Sequence, residues 1–212
     1  MDREWRGSDY QLAAGAFTAG KVGLPRFSDK QGRTLLERLT ATGNFAFYRD
    51  KTLPLAMRME DFLKLQEAAN SISKLYLGSA IKGEDVHKEM GRMMAFSLYT
   101  AALGIELVDE FIPTIPRDDK YDTRMDGVKR MRSGLTTMFV GAETSLFDRK
   151  FYSSDDLSTL LEAMASTLPH FKGAFSTEYR IELQKKLESH ESDFKNADDV
   201  RRIKMMLTEL KS

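Results

Sequence analysis

Cysteine is absent from all 212 residues, which excludes disulfides, thiolate metal sites and cysteine nucleophiles together. Histidine occurs three times, as His87, His170 and His190. The three fall on separate expected elements, so their spacing offers neither a zinc site nor a general base, and surface positions are expected for all of them. No Gly-rich phosphate loop, Gly-x-Ser-x-Gly elbow, His-Glu-x-x-His pair or calcium-loop pattern occurs. An excess of either charge is also lacking. Thirty-two Lys and Arg balance thirty-two Asp and Glu, which argues against a nucleic-acid or membrane-surface binder that works by bulk charge. The uncharged run from Met93 to Ile105 has thirteen residues, short of the ~18 that a membrane-spanning helix needs. The first ten residues are polar and charged, without the apolar centre of a signal peptide, so a cytoplasmic protein is expected.

What is present is helical periodicity. Hydrophobic residues make up 42% of the chain and charged residues 30%, the proportions of an ordinary globular protein. The stretch from residue 84 to 112 is apolar on every side of a helical wheel. Met93, Phe96, Leu103, Leu107 and Phe111 make one face, and Ser97, Ala101 and Gly104 make a small-residue face. A helix apolar all round belongs in the centre of a protein. A second long series, Met125, Val128, Met131, Leu135, Met138, Ala142 and Leu146, predicts a helix over 119–147. Gly134 and Gly141 lie within it and are expected to pack on the small-residue face of the central helix, offsetting their helix cost of up to ~1 kcal/mol each.

The remaining elements follow from caps and breakers. Ser8 with Gln11, and Ser28 with Gln31, have the spacing of capping boxes. They open two short helices, which Gly20, Gly23 and Pro25, and then Gly43, bring to an end. Phe45, Phe47 and Tyr48 are expected in a loop that buries its aromatic rings. Pro54 begins a helix carrying Phe62, Leu65, Ala69, Ile72 and Tyr76, with a break bracketed by Gly78 and Gly83. Glu84 and Asp85 supply negative charge at the start of the central helix, and Pro113 and Pro116 stop it. Ser153 and Asp156 open another helix through Met164, and Thr167 with Pro169 starts a short one through Phe175. Ser176 or Thr177 caps a helix bearing Leu183, Leu187 and Phe194, and Val200, Ile203, Leu207 and Leu210 mark the last. The expected fold is all-α, a single bundle of eight or nine helices spanning 1–212. Its core is the pair 84–112 and 119–147, the short helices of 1–53 are peripheral, and a C-terminal hairpin covers 176–212.

Glu84-x-x-His87 is half of a carboxylate-bridged di-metal motif, but no second copy exists, so the pair reads as a solvated helix start. No metal, cofactor or catalytic residue is expected. The basic run Lys129, Arg130 and Arg132 is interleaved with Asp122 and Asp126 and reads as a mixed-charge face. The two N-terminal helices do not make a helix-turn-helix, because the linker from Gly20 to Ser28 is long and contains proline. The feature folding explains least is acidic. Glu106, Asp109 and Glu110 close the central helix, where carboxylates oppose its dipole, and Asp118 and Asp119 follow. These five predict a surface for a basic partner protein, unless Arg117, Lys120 or Arg124 neutralises them within the chain. The expected function is therefore protein binding without catalysis, of the kind performed by a small helical inhibitor such as an immunity protein or antitoxin. Two alternatives stand beside it. One is an enzyme or small-ligand site between the central helices using Glu143, Glu106, His87 or Arg92. The other is a helical nucleic-acid regulator. Glu143 sits at the edge of an apolar stripe and is expected to reach water. Met205 and Met206 mark a further exposed candidate surface.

Overall fold

Sixteen of the twenty-two residues from Met90 to Phe111 are buried, all the way round the helix, and every other long helix packs against this one or against its neighbours. The computed structural model describes residues 4–18, 24–40, 45–148 and 153–212. Among them are nine α-helices and no strand: α1 (Gly7–Thr18), α2 (Lys30–Thr40), α3 (Ala46–Arg49), α4 (Leu55–Ile81), α5 (Met90–Phe111), α6 (Tyr121–Asp148), α7 (Ser154–Lys172), α8 (Thr177–His190) and α9 (Ala197–Lys211). The fold is an all-α bundle in which α4, α6 and α7 surround α5, α1 lies along α4, and α9 lies along α7 with α8 beside it. No helix among the described residues is long and apolar enough to cross a membrane.

The stripe Phe62, Leu65, Ala69, Ile72 and Tyr76 is buried along α4 as its period requires. The stripe of α6 is buried at Leu135, Phe139, Ala142 and Leu146. Phe139 meets Phe171 and Phe175 with both ring centroids at 5.2 Å, which fastens α6 to the end of α7. At the N-terminal side, Asp61 of α4 accepts hydrogen bonds from the Gly7 amide and the Tyr48 hydroxyl, each at 2.7 Å. One carboxylate thus ties α1, α3 and α4 together.

The structure corrects several sequence expectations. Gly134 and Gly141 do not touch α5. Both face solvent, and a Cβ built on either meets nothing within 4 Å. They lie out of phase with the buried stripe of α6, and phase on the wheel rather than residue size decides which positions face a neighbour. Of the glycines on these two helices, Gly104 is the one at the close approach of α6 to α5, where a Cβ would meet Leu135 Cδ1 at 3.0 Å and Phe62 Cζ of α4 at 2.5 Å. Ser97 of the same face turns to α4, its hydroxyl 2.6 Å from that of Ser73. A second close crossing of α5 is at Gly91, which lies against the backbone of Asp156 in α7.

Other corrections concern helix ends. Asp29, not Ser28, caps α2, its carboxylate accepting from the Gly32 amide at 2.6 Å. Residues 45–49 are not a loop, since Phe47 and Tyr48 are buried from the short helix α3. Gly78 lies within α4, which ends beyond it in a Schellman turn. There the Glu84 amide donates to Ser79 and the Gly83 amide to Ala80, both at 3.0 Å, with Gly83 at φ 84°. The central helix starts at Met90, so Glu84 and Asp85 precede it by more than a turn and Glu89 occupies the cap position. Thr167 and Pro169 start no new helix, because α7 continues through both to Lys172. Pro169 sits in its last turn, where only one backbone hydrogen bond is forfeited. Phe194 lies beyond the end of α8. The expected stops at Gly20, Gly23 and Gly43 lie outside the described residues.

Candidate functional site

The five carboxylates expected at the end of the central helix are found there, and cations arrive from four other parts of the chain. Arg49 of α3 grips Glu106 in a two-pronged bond, Nε and Nη2 each 3.0 Å from one carboxylate oxygen. His170 of α7 approaches the same group at 3.5 Å. Glu110 pairs with Arg58 of α4, with Nη1 at 3.0 Å and Nη2 closer still. Asp109 lies 3.4 Å from Arg132 of α6, and Asp118 pairs with Arg124 at 2.7 Å. Asp119 has no cation partner among the described residues. Of the neutralising residues expected from proximity in sequence, Arg124 serves and Arg117 does not, its guanidinium lying 5.6 Å from the Tyr121 ring. A groove of about 460 Å³ runs along this end, lined by Tyr48, Lys51, Leu107, Asp109 and the pairs Arg49–Glu106 and Arg58–Glu110.

Arg58 is the residue that sequence reasoning missed here. It is 2% exposed, and it also donates to the Tyr48 carbonyl at 3.0 Å and the Leu53 carbonyl at 3.3 Å. The signal was available: position 58 continues the stripe 62, 65, 69, 72 and 76 one turn backwards. An arginine there must be buried and must find an anion. Glu110 is that anion, and the Arg58 guanidinium holds its carboxyl below the usual carboxylate range. Arg124 does the same to Asp118.

Glu143 does not reach water. It is 2% exposed and accepts from the Tyr179 hydroxyl and, at 2.8 Å, from Lys186 Nζ, both on α8. Burial pushes the Tyr179 phenol above its ordinary value, and the hydrogen bond to Glu143 adds to the effect. The Glu143 bond raises Lys186 too. This arrangement fastens α8 to α6 and leaves Glu143 without a free oxygen for a ligand. Glu106 and Arg92 stand fourteen positions apart on α5, about 21 Å at 1.5 Å per residue, so they share no site.

Arg92 and His87 do meet other chemistry, where the beginnings of α5 and α7 cross. The Ser153 amide donates to the His87 carbonyl at 3.0 Å, while the His87 side chain is half exposed. Arg92 lies over the Phe27 ring, 4.9 Å from its centroid, and faces a pocket of about 310 Å³ shared with Lys88, Ser153, Asp155, Asp156 and Thr159. Asp156 is 4% exposed. Ser153 caps α7 by accepting from the Asp156 amide at 3.3 Å, and its hydroxyl stands 3.1 Å from the Asp156 carboxylate. Burial pushes that carboxyl up to about 7, against the lowering effect of the Ser153 hydrogen bond. The Ser153–Asp156 cap was legible in the sequence. The burial of Asp156 was signalled only by its place on the stripe with Leu160, Met164, Thr167 and Phe171.

Among the described residues no group of three or more His, Cys, Asp or Glu is placed to hold a metal ion. Glu84 stands 3.4 Å from Arg26, and His190 pairs with Asp193 at 2.9 Å. The basic run on α6 is broken by its own pairs, Lys129 with Asp126 at 3.2 Å and Arg132 with Asp109. Met205 is exposed while Met206 is buried, so the two share no surface. No known family model, curated protein or solved structure matches this chain.

Proposed function

We propose that this chain is a non-enzymatic, cytoplasmic protein-binding protein, of the inhibitor class represented by immunity proteins and antitoxins, that engages a basic surface of its target. The observation that supports this reading is the exposure of Asp109, Asp118 and Asp119 around the groove end of α5. The Asp109 and Asp118 side chains are 51% and 45% exposed. Their internal partners, Arg132 and Arg124, are themselves near the surface, where solvent screens an ion pair and leaves it little net stability. A basic partner can displace such pairs at little cost. Glu106 and Glu110 play a different part: they hold Arg49 and the buried Arg58, and so keep this end rigid. Electrostatic complementarity of this kind acts chiefly on partner choice and association rate.

The test follows from that division. The tagged chain is used to capture partners from its native cell, alongside the double variant Asp109→Lys/Asp119→Lys, which leaves the Arg58–Glu110 pair intact. A partner retained by the parent chain, lost by the variant and released as salt is raised supports the reading. Equal capture by both chains overturns it.

A further inference from the structure

Two cations stand unpaired at the pocket between the starts of α5 and α7. Neither Lys88 nor Arg92 makes an ion pair with a carboxylate among the described residues. Arg92 is half-buried and lies over the Phe27 ring. Phe27 is itself fixed by its amide, which donates to the buried Glu89 at 3.1 Å. Stacking of this kind orients the planar fork of a guanidinium and leaves its edge free, the arrangement that suits two-pronged recognition of an oxyanion. The nearby carboxylates do not consume it. Glu89 faces Arg26 at 3.5 Å, Asp155 is exposed to water, and Asp156 takes its hydrogen bond from the Ser153 hydroxyl, feeling the Arg92 charge without forming an ion pair with it.

We propose that Arg92 and Lys88 form a binding site for the oxyanion group of a small molecule, a phosphoryl or carboxylate group, in the pocket closed by Phe27, Ser153, Asp156 and Thr159. The pocket volume of about 310 Å³ suits a small metabolite rather than a macromolecule. The first turns of α5 and α7 both lie at this corner, and their dipoles favour negative charge there. Burial favours the neutral form of the Asp156 carboxyl, which reduces its repulsion of an incoming anion. The site is independent of the acidic end, which lies at the other end of α5.

The test is a titration of the full chain at low ionic strength with inorganic phosphate and, separately, with malonate, followed by backbone amide shifts. Saturable shifts confined to 86–92 and 153–159 are expected with at least one probe, and the tighter of the two names the phosphoryl or the carboxylate source. Arg92→Gln weakens binding at least tenfold and Lys88→Gln several-fold. Asp156→Asn tightens it at pH 8, where the parent carboxyl is ionised, and changes it little at pH 5.5, where the carboxyl is already neutral. Arg117→Gln, which removes a stacked arginine elsewhere, changes nothing. Lys88 is exposed, so its variant is expected to fold even if that of Arg92 does not. Failure of both probes to saturate, or binding unchanged in both Lys88→Gln and Arg92→Gln, overturns the proposal.

Discussion

One substitution, glycine to alanine, should change stability in opposite directions at different points of this fold. At Gly134 and Gly141 the added methyl meets nothing within 4 Å. Both positions are inside α6, where alanine is favoured over glycine by up to about 1 kcal/mol, so each variant should gain about 0.5–1 kcal/mol. At Gly91 the same methyl would stand 2.5 Å from Asp156 Cβ and 2.7 Å from its carbonyl carbon, with the carbonyl oxygen nearer still. Ordinary contact between such atoms is about 3.5–4.0 Å, so α5 and α7 must part by about 1 Å. Backbone cannot rotate away, and overpacking of this kind costs about 1–3 kcal/mol or more. The helix gain does not offset it. Gly104 should fall between the two, because its neighbours are the ends of the Phe62 and Leu135 side chains, which can turn. In urea unfolding, the expected order of midpoints is Gly134→Ala above the parent, then Gly104→Ala, then Gly91→Ala, with unchanged m-values. For a chain of this size 1 kcal/mol corresponds to about 2–4 °C in Tm. A Gly134→Ala variant less stable than the parent would refute the placement of that face in solvent. A Gly91→Ala variant as stable as the parent would refute the close crossing of α5 and α7.

Asp156 should make stability depend on pH. Its carboxyl is raised from 3.8 to about 7 in the folded chain, so between those values the folded state holds a proton that the unfolded state releases. Stability is then fullest below about pH 4, falls as pH rises toward 7, and is flat above it. At 1.36 kcal/mol per pKa unit the full loss is on the order of 4 kcal/mol, and thermal melts from pH 4.5 to 8, which cover about three quarters of it, should show Asp156→Asn gaining on the parent by about 3 kcal/mol. A constant difference across the range would contradict the shift. Ser153→Ala removes the cap of α7 and should cost about 0.5–2 kcal/mol in urea unfolding; no loss would mean that water replaces the hydroxyl. Tyr179→Phe removes a hydrogen bond to the buried Glu143 carboxylate and should cost about 1.5–3 kcal/mol, whereas loss of an exposed contact would leave the midpoint in place. Glu110→Gln takes the ion-pair partner from the buried Arg58, which keeps its bonds to the Tyr48 and Leu53 carbonyls, and about 1–3 kcal/mol is expected, while Asp126→Asn, which breaks the exposed pair with Lys129, should shift nothing measurable.

Periodicity and capping residues were enough to read the helical class, the central place of the stretch ending at Phe111, and the starts of α7 and α8 at Ser153 and Ser176, because these depend on interactions within a few residues. The stripe of α4 and its outward phase were legible for the same reason. Partner choice between helices was not. Gly134 of α6 and Gly104 of α5 look alike in sequence, and only the packing of the two helices decides that the first faces water and the second faces Phe62 and Leu135. The fate of charges was hidden too. Five carboxylates from Glu106 to Asp119 read as an uncompensated patch, because Arg49, Arg58 and Arg132 lie from thirteen to more than fifty residues away and reach them only through folding. Glu143 and Asp156 each occupy a position on an apolar stripe, and that much the sequence determined. Tertiary packing alone supplied Tyr179 and Lys186 to the first, and gave the second the Ser153 hydroxyl and the nearby charge of Arg92.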